Sequence, residues 1–478
     1  MLLKKLDLSH VKQTKIIATV GPSTDSYDMI YQMMSSGVNG FRLNFSHGDH
    51  PQKAQHVKWI RQASLEYGKP VAIIQDLQGP KIRLGEFDHE IKLSAGEVWI
   101  LTAEPGAKLN LIEKVLPIQT NISEDVKPGE RLFIFDGKIK TKILEVDSET
   151  QSLKIEVIND GLTTQKKGIN LPDTTFTNSV ITDKDRADIE FGLSLDVDYV
   201  ALSFVNTEKD IRELRDILKA GGSDAFIIAK IETRAALDNI DKICLESDAL
   251  MVARGDLAYE IEPEKVPVIQ RNLIAACLRY EKVCIVATQM LSSMVSSPEA
   301  SRADISDIAT AVIVGADATM LSDETAMGQY PIEAIETMDK VISYTQKNSR
   351  VAASFEPSHD YSIGEVVAQS AIAIAKKVQA TAIVVETASG KTAMSVSSWR
   401  PKMPIMAVTH LEGTANKLAI VYGVRSFVRP KDEFAATKLT DWLRSEDILA
   451  PADIVLILAD KYPGTPGQTD TIKLRVLE

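Results

Sequence analysis

The sequence predicts an α/β protein built on a (β/α)₈ TIM barrel, and three observations predict it. Eight short β-branched runs recur between helical stretches, the runs are apolar without alternation, and polar residues collect where the runs end. Apolar runs of this kind suit a parallel sheet covered on both faces. Active sites of such barrels sit at the C-terminal ends of the strands, where the polar residues fall. An open doubly wound sheet is the competing architecture.

The runs are TKIIATV (14–20), VNGFRLN (38–44), VAIIQD (71–76), DYVALS (198–203), FIIAKI (226–231), DALMVA (248–253), VCIVAT from 283 and DATMLS (317–322). The gap between the third and fourth is far longer than a barrel helix needs. Inside it EIKLSAGEVWILTA, RLFIFDGKIKTKILEV and SLKIEVINDG alternate polar and apolar residues around the turn signals Asp136-Gly137 and Asp160-Gly161. Such alternation predicts a small antiparallel β-domain, inserted where it can close over a site as a lid. After about residue 345, helical QSAIAIAKKVQ and the strands TAIVVE, PIMAVT, DIVLILA and TIKLRVL predict a separate α/β domain. The expected division is barrel 1–84, inserted lid 85–172, barrel 173–345 and C-terminal domain 346–478.

A chain of 478 residues is too long for one ordinary core, which agrees with this division. Its formal net charge of −12 argues against nucleic acid as a partner, while leaving room for a local basic cleft. Cys244, Cys277 and Cys284 stand in apolar surroundings with no CxxC pair, the pattern of reduced thiols in a cytoplasmic protein. The opening MLLKKLDLSH has no apolar stretch behind its lysines, and no run of 18 apolar residues occurs, so no membrane partner is expected.

The run ends carry Arg42 and Asn44, Asp76, Lys230 and Glu232, Arg254 with Gly255 and Asp256, Thr288, and Ser322 with Asp323 and Glu324. Side chains two apart on a strand share a face, so four i, i+2 pairs aim polar groups to one side. Glu232 and Asp256 are hard oxygen ligands suited to Mg²⁺. Arg42 and Lys230 are cations for the oxygens of a moving phosphoryl group. The glycine of ARGD can turn backbone N–H groups toward an anion at a helix start. A phosphorylated carboxylic acid would use all of these groups. His47 and His50 in SHGDH mimic metal-site spacing, but with no further histidine or cysteine nearby zinc is not expected.

Over nearly its whole length the chain resembles the pyruvate kinases, through TKIIATVGPST, RLNFSHG, QGPKIR, FGL with DYVALSFV, AKIE, MVARGDL, ATQML, RADISDIATAV and MLSDETAMGQYP, in that order. The resemblance implies Mg²⁺-dependent (or Mn²⁺-dependent) phosphoryl transfer from phosphoenolpyruvate to ADP, giving pyruvate and ATP, in a cytoplasmic homotetramer. It assigns Lys230 and Arg42 to the phosphate, and Glu232 and Asp256 to the metal. Gly255, Asp256 and Thr288 fall to the substrate carboxylate, and Asn44, His47, Arg83 and Lys184 to the nucleotide. By the same resemblance Thr288, Ser322 and Glu324 look like parts of a hydroxyl, water and carboxylate relay that protonates enolpyruvate.

Similar members that need K⁺ place a threonine, a lysine and a glutamate where Leu77, Gln78 and Lys81 stand here. This chain instead resembles the potassium-independent group, also in its aliphatic Leu84. In the monovalent-cation region of Asn44, Ser46, Asp76, Leu77 and Lys81, the Lys81 ammonium can supply the missing positive potential. A solvated loop lysine is the plainer reading. Asp323 replaces the usual glycine beside Glu324, where it either raises the Glu324 pKa or points to solvent. Ala258 and Ser292 also depart from the usual glycine and glutamate. In the C-terminal domain, TASGKT between a strand and a helix start resembles a loop that binds a sugar-phosphate effector, through Ser389, Lys391 and Thr392; ordinary β-to-α turn chemistry is the alternative. Two other functions compete: a divalent-metal lyase or aldolase for pyruvate-like substrates, and a catalytically silent effector-binding regulator.

Overall fold

A computed structural model describes residues 11–135, 137–174, 179–351, 362–459 and 470–478. Eight parallel strands close a barrel: Lys15–Val20, Gly40–Asn44, Ala72–Asp76, Tyr199–Leu202, Phe226–Ile231, Ala249–Ala253, Val283–Ala287 and Ala318–Leu321. Each lies within one of the eight apolar runs, and the first pairs with the eighth, Lys15 opposite Ala318, so the doubly wound alternative is excluded. Closure explains the missing alternation. One face of each strand fills the barrel interior and the other packs beneath the helical ring, so both must be apolar. Ile17, Ile74 and Ile285 lie in one buried cluster; their chain neighbours Ile16, Ile73 and Val286 lie in another.

Helix ends follow local sequence rules. Ser301 caps Arg302–Val314 by accepting the Asp304 N–H, and Asp304 reaches back as a capping box; Gly315 ends the helix at φ 98°. Thr182 caps Asp183–Leu195 in the same way.

Between the third and fourth barrel strands a six-stranded sheet and a two-stranded sheet enclose a core of their own, including Leu101, Ile134, Ile143 and Ile155. Ile82 and Leu84 belong to that core, so its packing begins before residue 85. The pairing is antiparallel apart from Val98–Thr102, which runs parallel to Val115–Pro117. Of the Asp136-Gly137 turn signal, Asp136 lies outside the described residues, as does the MLLKKLDLSH segment.

The C-terminal sheet contains four parallel strands, Ala382–Glu386, Ile405–Thr409, Val424–Val428 and Ile454–Ala459, and an antiparallel edge strand, Thr471–Val476. Val424–Val428 is the one that the sequence reading omits. The three cysteines are free and buried in the barrel. Among the described residues no helix is long and apolar enough to cross a membrane.

Candidate active site

At the C-terminal ends of the second, third and fifth barrel strands, four charged side chains form one buried network. Asp76 is its centre, 1% exposed. The Arg42 guanidinium donates from Nε to Asp76 Oδ2 at 2.5 Å and from a terminal nitrogen to Thr19 Oγ1 at 3.2 Å. The Lys230 ammonium lies 3.2 Å from Asp76 Oδ1 and 3.0 Å from Glu232 Oε1, and donates to Ser203 Oγ at 2.6 Å. Glu232 Oε2 accepts the Phe204 N–H at 2.8 Å. Strand geometry delivers Lys230 and Glu232 to one side.

Burial would push the Asp76 carboxyl up, but the Arg42 and Lys230 cations outweigh it and hold the pKa below its ordinary value. Burial opposes the Lys230 charge as well; Asp76 and Glu232 overcome it and raise its pKa, so the ammonium keeps its proton. Glu232 differs. Burial and the nearby Asp256 carboxylate raise its pKa, against the pull of Lys230.

Asp256 lies in the first turn of the helix Arg254–Ile261, with its Oδ1 3.4 Å from Lys81 Nζ. Here the expected i, i+2 pairing fails. The strand stops at Ala253 and residues 254–261 are helical, so Arg254 and Asp256 diverge. Arg254 turns inward, pairs with Asp307 at 2.5 Å and donates to the Thr288 carbonyl at 2.6 Å. It thereby holds Thr288 and Gln289, both with positive φ, in a loop whose Thr288 Oγ1 accepts the Gly255 N–H at 2.9 Å.

At the eighth strand Glu324 is buried and accepts two backbone N–H groups, Ser322 at 2.7 Å and Leu291 at 3.0 Å. The Ser322 hydroxyl is buried with no partner among the described residues. Asp323 is exposed on the same turn, as the solvent-facing alternative has it. Ser292 starts a short 3-10 turn, and Ala258 lies within the helix after Asp256.

Asn44 Oδ1 accepts the Ser46 N–H, shaping the turn that carries the exposed His47. Partial burial, then Arg83, Lys53 and Arg42, push the His47 pKa down. A basic rim therefore borders the network. Lys53, buried on the helix His50–Tyr67, is a member that sequence reasoning missed. Lys184 is engaged at the edge, donating to the Phe45 carbonyl at 2.7 Å and to Asp188 at 2.6 Å. His50 bonds Asp188 at 2.8 Å and stacks on Phe191. Leu77 is buried, and the Lys81 partner is Asp256 rather than Asp76. Thr19, Ser203 and Phe204 were also missed; DYVALSFV contains two of them without showing that they hold Lys230 and Glu232.

Ser389, Lys391 and Thr392 lie far along the chain at the start of the helix Lys391–Ser398, with Lys391 exposed and Ser389 on the loop before it. Gly390, at φ 86°, donates its N–H to Thr387 Oγ1 at 2.9 Å.

A divalent metal fits Glu232 and Asp256. Burial and the Asp256 carboxylate oppose ionisation of Glu232, a cation held by both carboxylates would relieve that penalty, and Mg²⁺ needs only one or two protein carboxylates.

A closed barrel with cations and paired carboxylates at its C-terminal mouth defines a barrel-class protein whose site suits a divalent metal and an anionic substrate. Residues 11–335 match the family model "Pyruvate kinase, barrel domain", and residues 365–475 match "Pyruvate kinase, alpha/beta domain". A pyruvate kinase of Agrobacterium vitis is 41% identical over 97% of this chain and 96% of its own length. Pyruvate kinase 2 of Synechocystis is 38% identical over 98% of this chain and 80% of its own. The crystal structure of a pyruvate kinase from Cryptosporidium parvum superposes with a TM-score of 0.90 at 31% identity, covering 98% of this chain and 96% of that one. The chain belongs to the pyruvate kinase family, phosphotransferases that use a divalent metal.

Proposed function

We propose that this chain transfers the phosphoryl group of phosphoenolpyruvate to ADP with Mg²⁺ (Mn²⁺ serving as well) and without a requirement for K⁺, and that the Asp76–Arg42–Lys230–Glu232 network performs the transfer. The observation that carries this reading is the buried Lys230 ammonium held between two carboxylates at the barrel mouth.

A phosphoryl group in flight carries charge on its equatorial oxygens, so fixed cations that need no reorganisation lower the barrier. Arg42 and Lys230 are such cations. Because Lys230 keeps its proton, its role is electrostatic. Glu232 and Asp256 would hold the metal, whose positive charge neutralises phosphate oxygens when bound. The Gly255 and Asp256 amides and the Thr288 hydroxyl orient the substrate carboxylate. Asn44, His47, Arg83 and Lys184 face the nucleotide phosphates, with Lys53 behind His47. As the phosphorus–oxygen bond to the enol breaks and a bond to the ADP oxygen forms, the enolate that remains takes a proton at carbon to give pyruvate. Thr288, Ser322 and Glu324 serve as that relay; the unpartnered Ser322 hydroxyl and the Ser322 N–H donated to Glu324 support the reading.

Potassium independence rests on Lys81, whose ammonium stands beside Asp256 and adds positive charge near the metal carboxylates. A cytoplasmic homotetramer and a sugar-phosphate effector at Ser389, Lys391 and Thr392 complete the reading. Free buried cysteines favour a cytoplasmic setting, and a glycine-initiated helix after a parallel strand favours the effector loop. Family membership argues against the lyase, and turnover in the test below would exclude the silent regulator. The test is pyruvate formation from phosphoenolpyruvate, ADP and Mg²⁺ in buffer free of K⁺, Na⁺ and ammonium, repeated with KCl. Full turnover without KCl is expected. Turnover only with KCl would discard the Lys81 role, and none in either buffer would discard the activity.

A further inference from the structure

Far from the catalytic mouth, at the N-terminal end of the barrel, four basic side chains converge on a cavity of about 200 Å³. Lys12 and Lys15 come from the segment that enters the first strand, Lys69 from the turn before the third strand, and Arg425 from the C-terminal-domain strand Val424–Val428. The cavity is thus walled by two parts of the fold.

Its charges are not matched from within. Lys12 donates to Asp339 Oδ1 at 2.6 Å, and among the described residues Asp339 is the one carboxylate lining the cavity. Lys15 donates to the carbonyls of Lys12 at 2.9 Å and Val424 at 2.8 Å, and Lys69 to that of Val38 at 3.0 Å. Carbonyl dipoles orient an ammonium without cancelling its charge. Arg425 Nε is buried with no hydrogen-bond partner among the described residues. A buried donor left unpaired carries a desolvation penalty, and buried charges are ordinarily paired. The mutual repulsion acts on two of the cations, Lys15 and Lys69. Burial and the charges of Lys12 and Arg425 push the Lys15 pKa down to about 7, and burial with Lys12, Arg425 and Lys15 pushes Lys69 well below its ordinary value. Burial also lowers Arg425, and lowers Lys12 despite Asp339.

Backbone geometry preserves the crowding. Gly37 adopts φ +121°, and a Cβ there would stand 2.9 Å from both Asp339 Oδ1 and Lys12 Nζ. The turn therefore both needs glycine and keeps this ion pair at the cavity wall.

We propose that this junction is a binding site for a small phosphate-bearing anion, inorganic phosphate or a phosphate monoester, held by Lys12, Lys15, Lys69 and Arg425. A dianion would neutralise the excess cations and supply the acceptor that Arg425 Nε lacks. The volume admits a phosphoryl group with a small substituent. Occupancy would tie the barrel to the C-terminal domain through Arg425, so the anion stabilises their junction and is distinct from anything bound at the mouth or at the Ser389 loop.

The test uses thermal melts of the full chain in phosphate-free buffer, with inorganic phosphate or ribose 5-phosphate added at matched ionic strength. Wild type, Lys69→Met, Arg425→Gln and Lys391→Ala are compared. A ligand that binds only the native state raises Tm. Wild type and Lys391→Ala are expected to gain a few degrees, and Lys69→Met and Arg425→Gln to lose most of that gain while keeping wild-type kcat. Lys69→Met should also melt higher than wild type without phosphate, because it removes an amine whose protonated form burial and then the neighbouring cations oppose. In Lys391→Ala, where the Ser389 loop is impaired, a larger gain with ribose 5-phosphate identifies an ester as the occupant of the junction; equal gains identify the phosphoryl group alone. The proposal is overturned if wild type shows no gain, or if both junction variants retain it in full. The catalytic mouth is intact in both, so phosphate bound there cannot produce the difference.

Discussion

The Lys230 ammonium lies 3.0 Å from the Glu232 carboxylate two residues along the same strand, and Asp76 closes the pair from the opposite side at 3.2 Å. Replacing Lys230 by methionine removes the cation from a site where two carboxylates are already buried. Turnover should fall roughly a thousandfold or more, the scale expected for a preorganised charge aimed at the transition state. The carboxylates left behind can take up protons, so the fold should survive with a lowered Tm. Steady-state kinetics beside circular dichroism decide it: a folded variant with wild-type kcat would refute the electrostatic role.

Lys81→Glu tests a different charge. It places a carboxylate where an ammonium now faces Asp256, so local negative charge rises on both counts. Activity in K⁺-free buffer should drop roughly tenfold or more, the scale of removing one hydrogen bond to a charged group, and KCl should restore part of it. A variant insensitive both to the substitution and to KCl would show that Lys81 is a bystander.

Much of this was legible in the sequence, for a physical reason. Strands buried on both faces leave uninterrupted apolar runs, and a barrel puts the residues after each run at one mouth, so Arg42, Asp76, Lys230 and Glu232 group together from sequence alone. Arg254 and Asp256 were grouped too simply, because the period changes from two to 3.6 where helix replaces strand at residue 254. Val424–Val428 escaped because Arg425 and Ser426 interrupt its apolar pattern. The basic cavity was invisible for another reason. Its four cations come from separate stretches of chain, and only the docking of the C-terminal sheet brings Arg425 to the lysines.

Gly79 supports the site through its backbone. It has φ +68°, and a Cβ there would lie 2.8 Å from the Ser203 Cβ and 2.9 Å from the Phe204 ring. Ser203 accepts from Lys230, and the Phe204 N–H holds Glu232. Gly79→Ala should therefore displace both supports at once, with a stability cost of about 1–3 kcal/mol from the positive φ and the clash. Both kcat and metal affinity should fall, although no catalytic side chain has been altered. Loss of stability alone, with metal affinity unchanged, would mean that Ser203 and Phe204 move without disturbing Lys230 and Glu232.

Glu232 makes the last prediction, because its raised pKa fixes a sign. Burial and Asp256 let the metal-free fold hold a proton at pH values where an unfolded glutamate, with a pKa of about 4.3, has released it. Between those two values the native state binds more protons, so this group's contribution to stability falls as pH rises. A bound divalent cation favours the ionised form and opposes that loss. The Tm gain from Mg²⁺ should therefore grow with pH across this window and be small at its acid end, where proton and metal compete. Glu232→Gln should flatten this part of the metal-free pH dependence and remove most of the Mg²⁺ gain. Melts across pH with and without Mg²⁺ read both effects; a gain that stays constant with pH in wild type, or persists in Glu232→Gln, would place the metal elsewhere.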